Sequence, residues 1–186
     1  MRFSYEFAME GYKKVKKYLD RYQYRCEVTG SLRRKKEDIG DIDIVVNKKI
    51  DIENLEELET EVLEIISKYS EVERRINHYE FLLKSGISIH MIPEISKHFN
   101  YTLWHSTGPK LHVKLIKDIY GEKGMKIDME NTEEKQIYEK INLEYMEPEK
   151  RWESIEDYQK ETKAGIKGEK SYDKKTKSKK NNSCTS

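Results

Sequence analysis

Residues 30–43 read Gly30-Ser31-Leu32-Arg33-Arg34-Lys35-Lys36-Glu37-Asp38-Ile39-Gly40-Asp41-Ile42-Asp43. Two chemistries meet in this run. Gly30-Ser31 makes a tight turn with bare backbone N–H groups and a hydroxyl, next to two arginines, which is the equipment of a phosphate cradle. Asp41 and Asp43 stand two apart in a stretch made apolar by Ile42, Ile44, Val45 and Val46. In a strand, residues i and i+2 point to one face, so both carboxylates converge on one spot. Two close carboxylates raise each other's pKa unless a cation neutralises them. Beside a phosphate cradle, the pair suits a hard divalent cation carrying a triphosphate.

The elements that must hold this constellation follow from hydrophobic period. Ala8, Tyr12, Val15 and Leu19 form a helical stripe, so a first helix is predicted from Tyr5 to about Arg21, with Ser4 as N-cap. A strand of about Arg25–Thr29 leads into Gly30, and a short helix or turn carries Arg33 and Arg34. The Asp strand runs from Asp41 to Val46. Leu55, Leu58, Val62, Ile65, Ile66 and Tyr69 repeat at helical spacing, which predicts a helix from Asn54 to Tyr69. Strands at Tyr79–Leu83 and Ile87–Ile92 flank a Ser85-Gly86 hairpin turn. Helices are expected at Phe99–His105, after Thr107-Gly108-Pro109 to about Tyr120, and from a Thr132 cap to Lys140. The class is α+β, a mixed sheet backed by helices and followed by a small, mostly helical lobe.

Bulk properties narrow the setting. Of 186 residues, 35% are apolar and 38% charged, with a net charge of +1. Gln159–Ser186 carries nine lysines against three acids, so the remainder is negative. A tail with so few apolar groups has little surface to bury and reads as disordered, with a non-specific attraction to phosphate backbone. Cys26 and Cys184 form no metal or disulfide pattern, which fits a reducing, cytoplasmic compartment. No stretch approaches a membrane span, and the N-terminus lacks the apolar core of a signal peptide.

Gly30-Ser31-x-Arg33-Arg34 followed by Gly40-Asp41-x-Asp43 resembles the palm signature of family X DNA polymerases, within the nucleotidyltransferase superfamily. The opening Arg2-Phe3-Ser4-Tyr5-x-x-Ala8 resembles the start of that palm. Thr107-Gly108-Pro109 resembles the turn between palm and thumb, and Thr132–Arg151 (TEEKQIYEKINLEYMEPEKR) resembles the family's thumb ending. These outer motifs separate it from antitoxin-type nucleotidyltransferases that modify RNA or protein. The resemblance implies a nucleotidyltransferase palm over 1–97, a thumb-like lobe over 98–157 and a basic tail over 158–186, with lyase and fingers regions absent from this miniature layout.

The resemblance also implies roles. Asp41 and Asp43 would bind two divalent ions, Mg2+ or Mn2+. Gly30, Ser31, Arg34 and Gly40, with Thr107 and Gly108, would hold a nucleoside triphosphate, while Arg33 would pair with an acid in the palm. Lys110, His112, Lys114 and Lys117 are candidate DNA contacts. The family's third carboxylate falls on His90 when aligned back from Thr107, or on Ser88 when aligned on Pro93; Gly86-Ile87-Ser88-Ile89-His90 favours His90. A neutral imidazole suits manganese or zinc better than magnesium. It could also serve as general base, and Glu80 or Glu94 could substitute. Val113 stands where many relatives read the minor groove with Asn, and His105-Ser106 replaces a bulky aromatic pair that excludes ribonucleotides. The implied partner is gapped or nicked DNA, bound by a monomer in repair. The alternative is an impaired remnant that binds DNA or nucleotide without turnover.

Overall fold

The computed structural model describes residues 1–49 and 53–160. The expected basic tail lies almost wholly outside the described residues. The chain divides into one compact unit, Met1–Arg151, and a second from Trp152 onward. In the second, residues 155–160 are helical, the Asp157 N–H donates to Ser154 Oγ at 3.1 Å, and the Trp152 ring meets Tyr158 edge-on.

The first unit is built on a five-stranded sheet. Its strands are β2 (Tyr24–Val28), β4 (Asp41–Lys48), β5 (Val72–Arg75), β6 (Glu80–Leu83) and β7 (Ser88–Pro93), in the order β2-β4-β7-β6-β5. β4 and β7 are parallel, and every other neighbour is antiparallel. A small ladder of β1 (Phe3–Ser4) and β3 (Asp38–Ile39) lies beside it. The helices are α1 (Tyr5–Asp20), α2 (Gly30–Arg33), α3 (Leu55–Ser67), α4 (Phe99–Thr107), α5 (Lys110–Glu122) and α6 (Glu134–Glu139).

Strand alternation sorts the residues of the sheet. Ile42, Ile44 and Val46 of β4, Ile89 and Met91 of β7, and Phe81 and Leu83 of β6 face α1 and α3. There they meet Ala8, Val15, Leu19, Leu58, Val62 and Ile66 in one buried core. The opposite face is covered at one end only, where Val45 packs on Phe99 and Leu103 of α4. Its other end stays half-exposed and carries Asp41, Asp43, Ser88, His90 and Glu80. Ser4 Oγ accepts from the Phe7 N–H at 3.2 Å, so the predicted N-cap of α1 is in place, and Asn54 Oδ1 accepts from the Glu56 and Glu57 N–H groups and caps α3.

Four elements differ from expectation. β5 reads Val-Glu-Arg-Arg and shows no alternation; it forms because the β6 edge offers unpaired backbone groups. β1 and β3, at two residues each, are too short to leave a pattern. The last helix is capped by Glu133, not Thr132. Glu133 has extended backbone, and its side chain and that of Gln136 exchange bonds with each other's backbone N–H, while Thr132 is buried.

Candidate active site

The Asp pair sits at the open end of the sheet. Asp41 is opposite Ser88 and Asp43 opposite His90 across the β4–β7 ladder. Burial, and then the Asp43 charge, raise the Asp41 pKa above its ordinary value. His90 Nδ1 lies 3.0 Å from Asp43 Oδ1, and this hydrogen bond raises the imidazole pKa despite partial burial.

Gly30 brings the start of α2 against this pair. The Thr29 N–H donates to the Asp43 carbonyl at 2.9 Å, so the start of α2 is tied to β4. Gly30 has φ +61°, and a Cβ there would stand 2.3 Å from Asp43 Oδ2. Both conformation and space require glycine. Ser31 and Arg34 line the same opening. The Arg34 guanidinium donates to the Thr107 carbonyl, which ties α2 to the turn at Gly108. That turn has φ +62° and gives way to α5.

Gly30, Ser31, Arg34, Asp41 and Asp43 form one wall of a cleft of about 760 Å³, and Gly108, Lys110, Lys114 and Lys117 line it too. The three lysines are exposed on one face of α5, with Lys114 paired to Asp118. Val113, His105, Ser106, Pro109 and Asp118 complete the lining.

The remaining predicted residues lie elsewhere. Thr107 is fully buried, and its hydroxyl bonds Thr29 and Arg33. Gly40 stands beside Arg2, whose guanidinium would be 3.2 Å from a Cβ at Gly40. His90 borders a second cavity, about 290 Å³, with Leu55, Glu59, Tyr79, Met91, Ile92 and Pro93. His112 is no DNA contact. It is fully buried, and its Nε2 bonds the Tyr138 hydroxyl at 2.8 Å. The acid that holds Arg33 is in the C-terminal part of the unit, not in the palm. Arg33 Nη1 donates to Glu134 Oε1 at 2.5 Å, and Glu134 Oε2 takes Arg151 at 3.0 Å and the Tyr145 hydroxyl at 3.2 Å.

Of the two stand-in acids, Glu94 is committed, with its carboxylate accepting from the Ile95 N–H and Thr102 Oγ1. Glu80 is opposite His90 on the same open face and accepts from Asn77 Nδ2 at 2.9 Å. Arg2 was not singled out by spacing, yet its charge reaches Asp41 and counters the rise in that carboxyl's pKa. Its signal was its place at the head of the resemblance to the palm.

Among the described residues, no three His, Cys, Asp or Glu side chains are grouped to hold a metal ion by themselves. The donor set still fits one carried by substrate. Asp41 and Asp43 are hard oxygen donors, and magnesium is commonly held by one or two carboxylates plus substrate phosphates.

No curated protein matches the chain significantly. Residues 6–87 match the family model of the DNA polymerase beta palm. That span holds the Gly30 turn and both aspartates of β4, and over it the chain is similar to the palm of the family X DNA polymerases.

Proposed function

We propose that the protein is a DNA polymerase X-like nucleotidyltransferase that adds nucleotides to a primer 3′-hydroxyl on gapped or nicked DNA. The observation that carries this reading is the convergence of Asp41, Asp43, Gly30 and Arg34 on one wall of a cleft also lined by Lys110, Lys114 and Lys117. The palm is taken as residues 1–97, a thumb-like lobe as 98–157 and a basic tail as 158–186.

Ser31, Arg34 and the Gly30 backbone bind the outer phosphates, with Gly40 and Arg2 on the far side of Asp41. Gly108 shapes the cleft beside Arg34, and Thr107 holds Arg33 and Arg34 in place. Asp41 and Asp43 would hold two divalent ions, Mg2+ or Mn2+, which when bound supply charge neutralisation at the entering and leaving oxygens. The primer hydroxyl gives up its proton to solvent and its oxygen attacks the α-phosphorus in line; the new P–O bond forms as the bond to the bridging oxygen breaks, and pyrophosphate leaves toward Arg34. His90, oriented by Asp43, stands in the place of the third carboxylate and faces the second cavity. A monomer acting in the cytoplasm in short-patch repair or end filling, in a cell or for a phage or virus, fits this chemistry.

A second reading rests on His90 itself. Its ring bonds an oxygen that the metal-binding role of Asp43 would use. In that reading the chain binds DNA or nucleotide without turnover.

Single-nucleotide extension of a gapped primer separates the two, run in magnesium and in manganese with wild type, His90→Asp and the Asp41→Ala/Asp43→Ala double variant. Wild-type extension lost in the double variant supports the polymerase. Extension by His90→Asp alone supports the remnant. Binding without extension by any of them sinks the polymerase reading.

A further inference from the structure

The open sheet face extends past the aspartates to the edge strand. Across the ladder Asp41 is opposite Ser88, Ser88 opposite Leu82, and Leu82 opposite Arg74. Paired residues share a face, so these four form one row on the side that bears the aspartates. Neighbouring strands are ~4.8 Å apart, so three steps place Arg74 ~14 Å from Asp41. Ser88 and Leu82 between them are uncharged. The next row is different: Asp43, His90 and Glu80 end on an acid.

The Arg74 side chain is exposed and makes no hydrogen bond, ion pair or ring contact among the described residues. Its neighbour Arg75 faces the other way. Arg75 is opposite Phe81, lies over that ring, and bonds Asn77 and His78 within the hairpin. A charge on an edge strand discourages pairing with other sheets from either face. Edge protection therefore accounts for Arg75 and leaves the face chosen by Arg74 unexplained. A free guanidinium is a fork for phosphate oxygens.

We propose that Arg74 anchors a backbone phosphate of the primer strand, which crosses the open face along the row Asp41, Ser88, Leu82 and Arg74. The proposal rests on the reading that the acceptor is a nucleic-acid primer. Its logic is charge complementarity with direction. The strand's 3′ end lies at Asp41 and an upstream phosphate lies at Arg74. The neutral row carries the backbone, since Glu80 repels it from the adjacent one. Cations on α5 hold the other side of the cleft, so Arg74 supplies the only exposed, uncommitted guanidinium in this row.

The test is primer–template binding by fluorescence anisotropy over a range of salt, with wild type, Arg74→Ala, Arg74→Lys and Lys13→Ala. Lys13 is an exposed cation on α1, behind the sheet. Arg74→Ala is expected to weaken binding roughly 3- to 10-fold and to lower the slope of log K against log salt by about one. Lys13→Ala is expected to match wild type, and Arg74→Lys to keep most of the slope. Replacing single phosphates near the primer 3′ end with neutral methylphosphonates then locates the contact: at one position the Arg74→Ala penalty disappears. Equal affinity and slope for wild type and Arg74→Ala overturn the anchor while leaving the polymerase reading intact. Failure of wild type to bind any primer–template overturns that reading and the anchor with it.

Discussion

At Gly30 the demands of backbone and site coincide. Positive φ alone makes a side chain there costly, by ~1–3 kcal/mol. The 2.3 Å separation between an added Cβ and Asp43 Oδ2 adds a second cost, because Asp43 is held by the Thr29 N–H and by His90 and has little room to retreat. Gly30→Ala is therefore expected to lower unfolding stability by roughly 2 kcal/mol. It should also depress nucleotide binding, read by urea titration and by fluorescent-nucleotide affinity; an unchanged affinity would separate Asp43 from the cradle. Asp41 calls for a different measurement. Its pKa is raised by burial and by Asp43, so removing Asp43's charge should bring it down. In Asp43→Asn, the Asp41 carboxyl is expected to titrate at lower pH than in wild type, followed by NMR of the side-chain carboxyl carbon. The spacing of Asp41 and Asp43 made this pair legible from the chain alone. The bond from His90 to Asp43 was not, because nothing in a sequence fixes which strand lies next to β4.

The elements themselves were mostly written in periodicity. α1 and α3 carry strong apolar stripes and conventional caps, and both are found where the spacing puts them. β5 has neither, since an edge strand needs no alternation when one neighbour supplies all its bonds. The link between α2 and α6 is the larger gap. Arg33 and Glu134 are a hundred residues apart, and a pairing over that separation is decided by how α4 and α6 pack. With Arg151, whose side chain is fully buried, Glu134 balances two guanidiniums. Removing the one acid leaves two cations with low exposure and no counter-charge, which typically costs 3–5 kcal/mol. Glu134→Ala is expected to lose about that much in denaturant unfolding. It should also loosen Arg34, because Arg33 and Arg34 share the Thr107 anchor, and so weaken nucleotide binding. A loss under about 1 kcal/mol would mean that water replaces the carboxylate and that the triad is not a closed network.

Taken whole, the described chain separates its charges by place: acids crowd α3, lysines line the cleft side of α5, and the strongly basic tail is visible only as composition. Charge distribution along the chain is legible without coordinates, whereas burial of a single charge is not, and His112 is the instance. From its helix and its lysine neighbours it reads as a surface cation facing DNA. The packing of α5 on α6 turns it inward instead. Trp104 Nε1 donates to the Tyr138 oxygen at 3.2 Å, and the Tyr138 hydroxyl shares a 2.8 Å hydrogen bond with His112 Nε2. Burial, reinforced by the Arg151 charge, lowers the His112 pKa from 6.5 to about 3. The sign of the effect on stability follows from which state binds the proton. Below pH 6.5 the unfolded chain protonates this histidine and the folded chain does not, so stability present above 6.5 is lost progressively as pH falls toward about 3. The slope approaches ~1.4 kcal/mol per pH unit, which makes His112 responsible for about 2 kcal/mol lost between pH 7 and pH 5. His112→Gln keeps a polar partner for Tyr138 and removes the titration. Its urea-unfolding free energy is expected to be lower than wild type at pH 7 but to fall less steeply toward pH 5, with the two curves converging. Parallel curves would mean that His112 reaches water in the folded state, and that α5 does not seat on α6 as tightly as the buried Trp104–Tyr138–His112 chain requires.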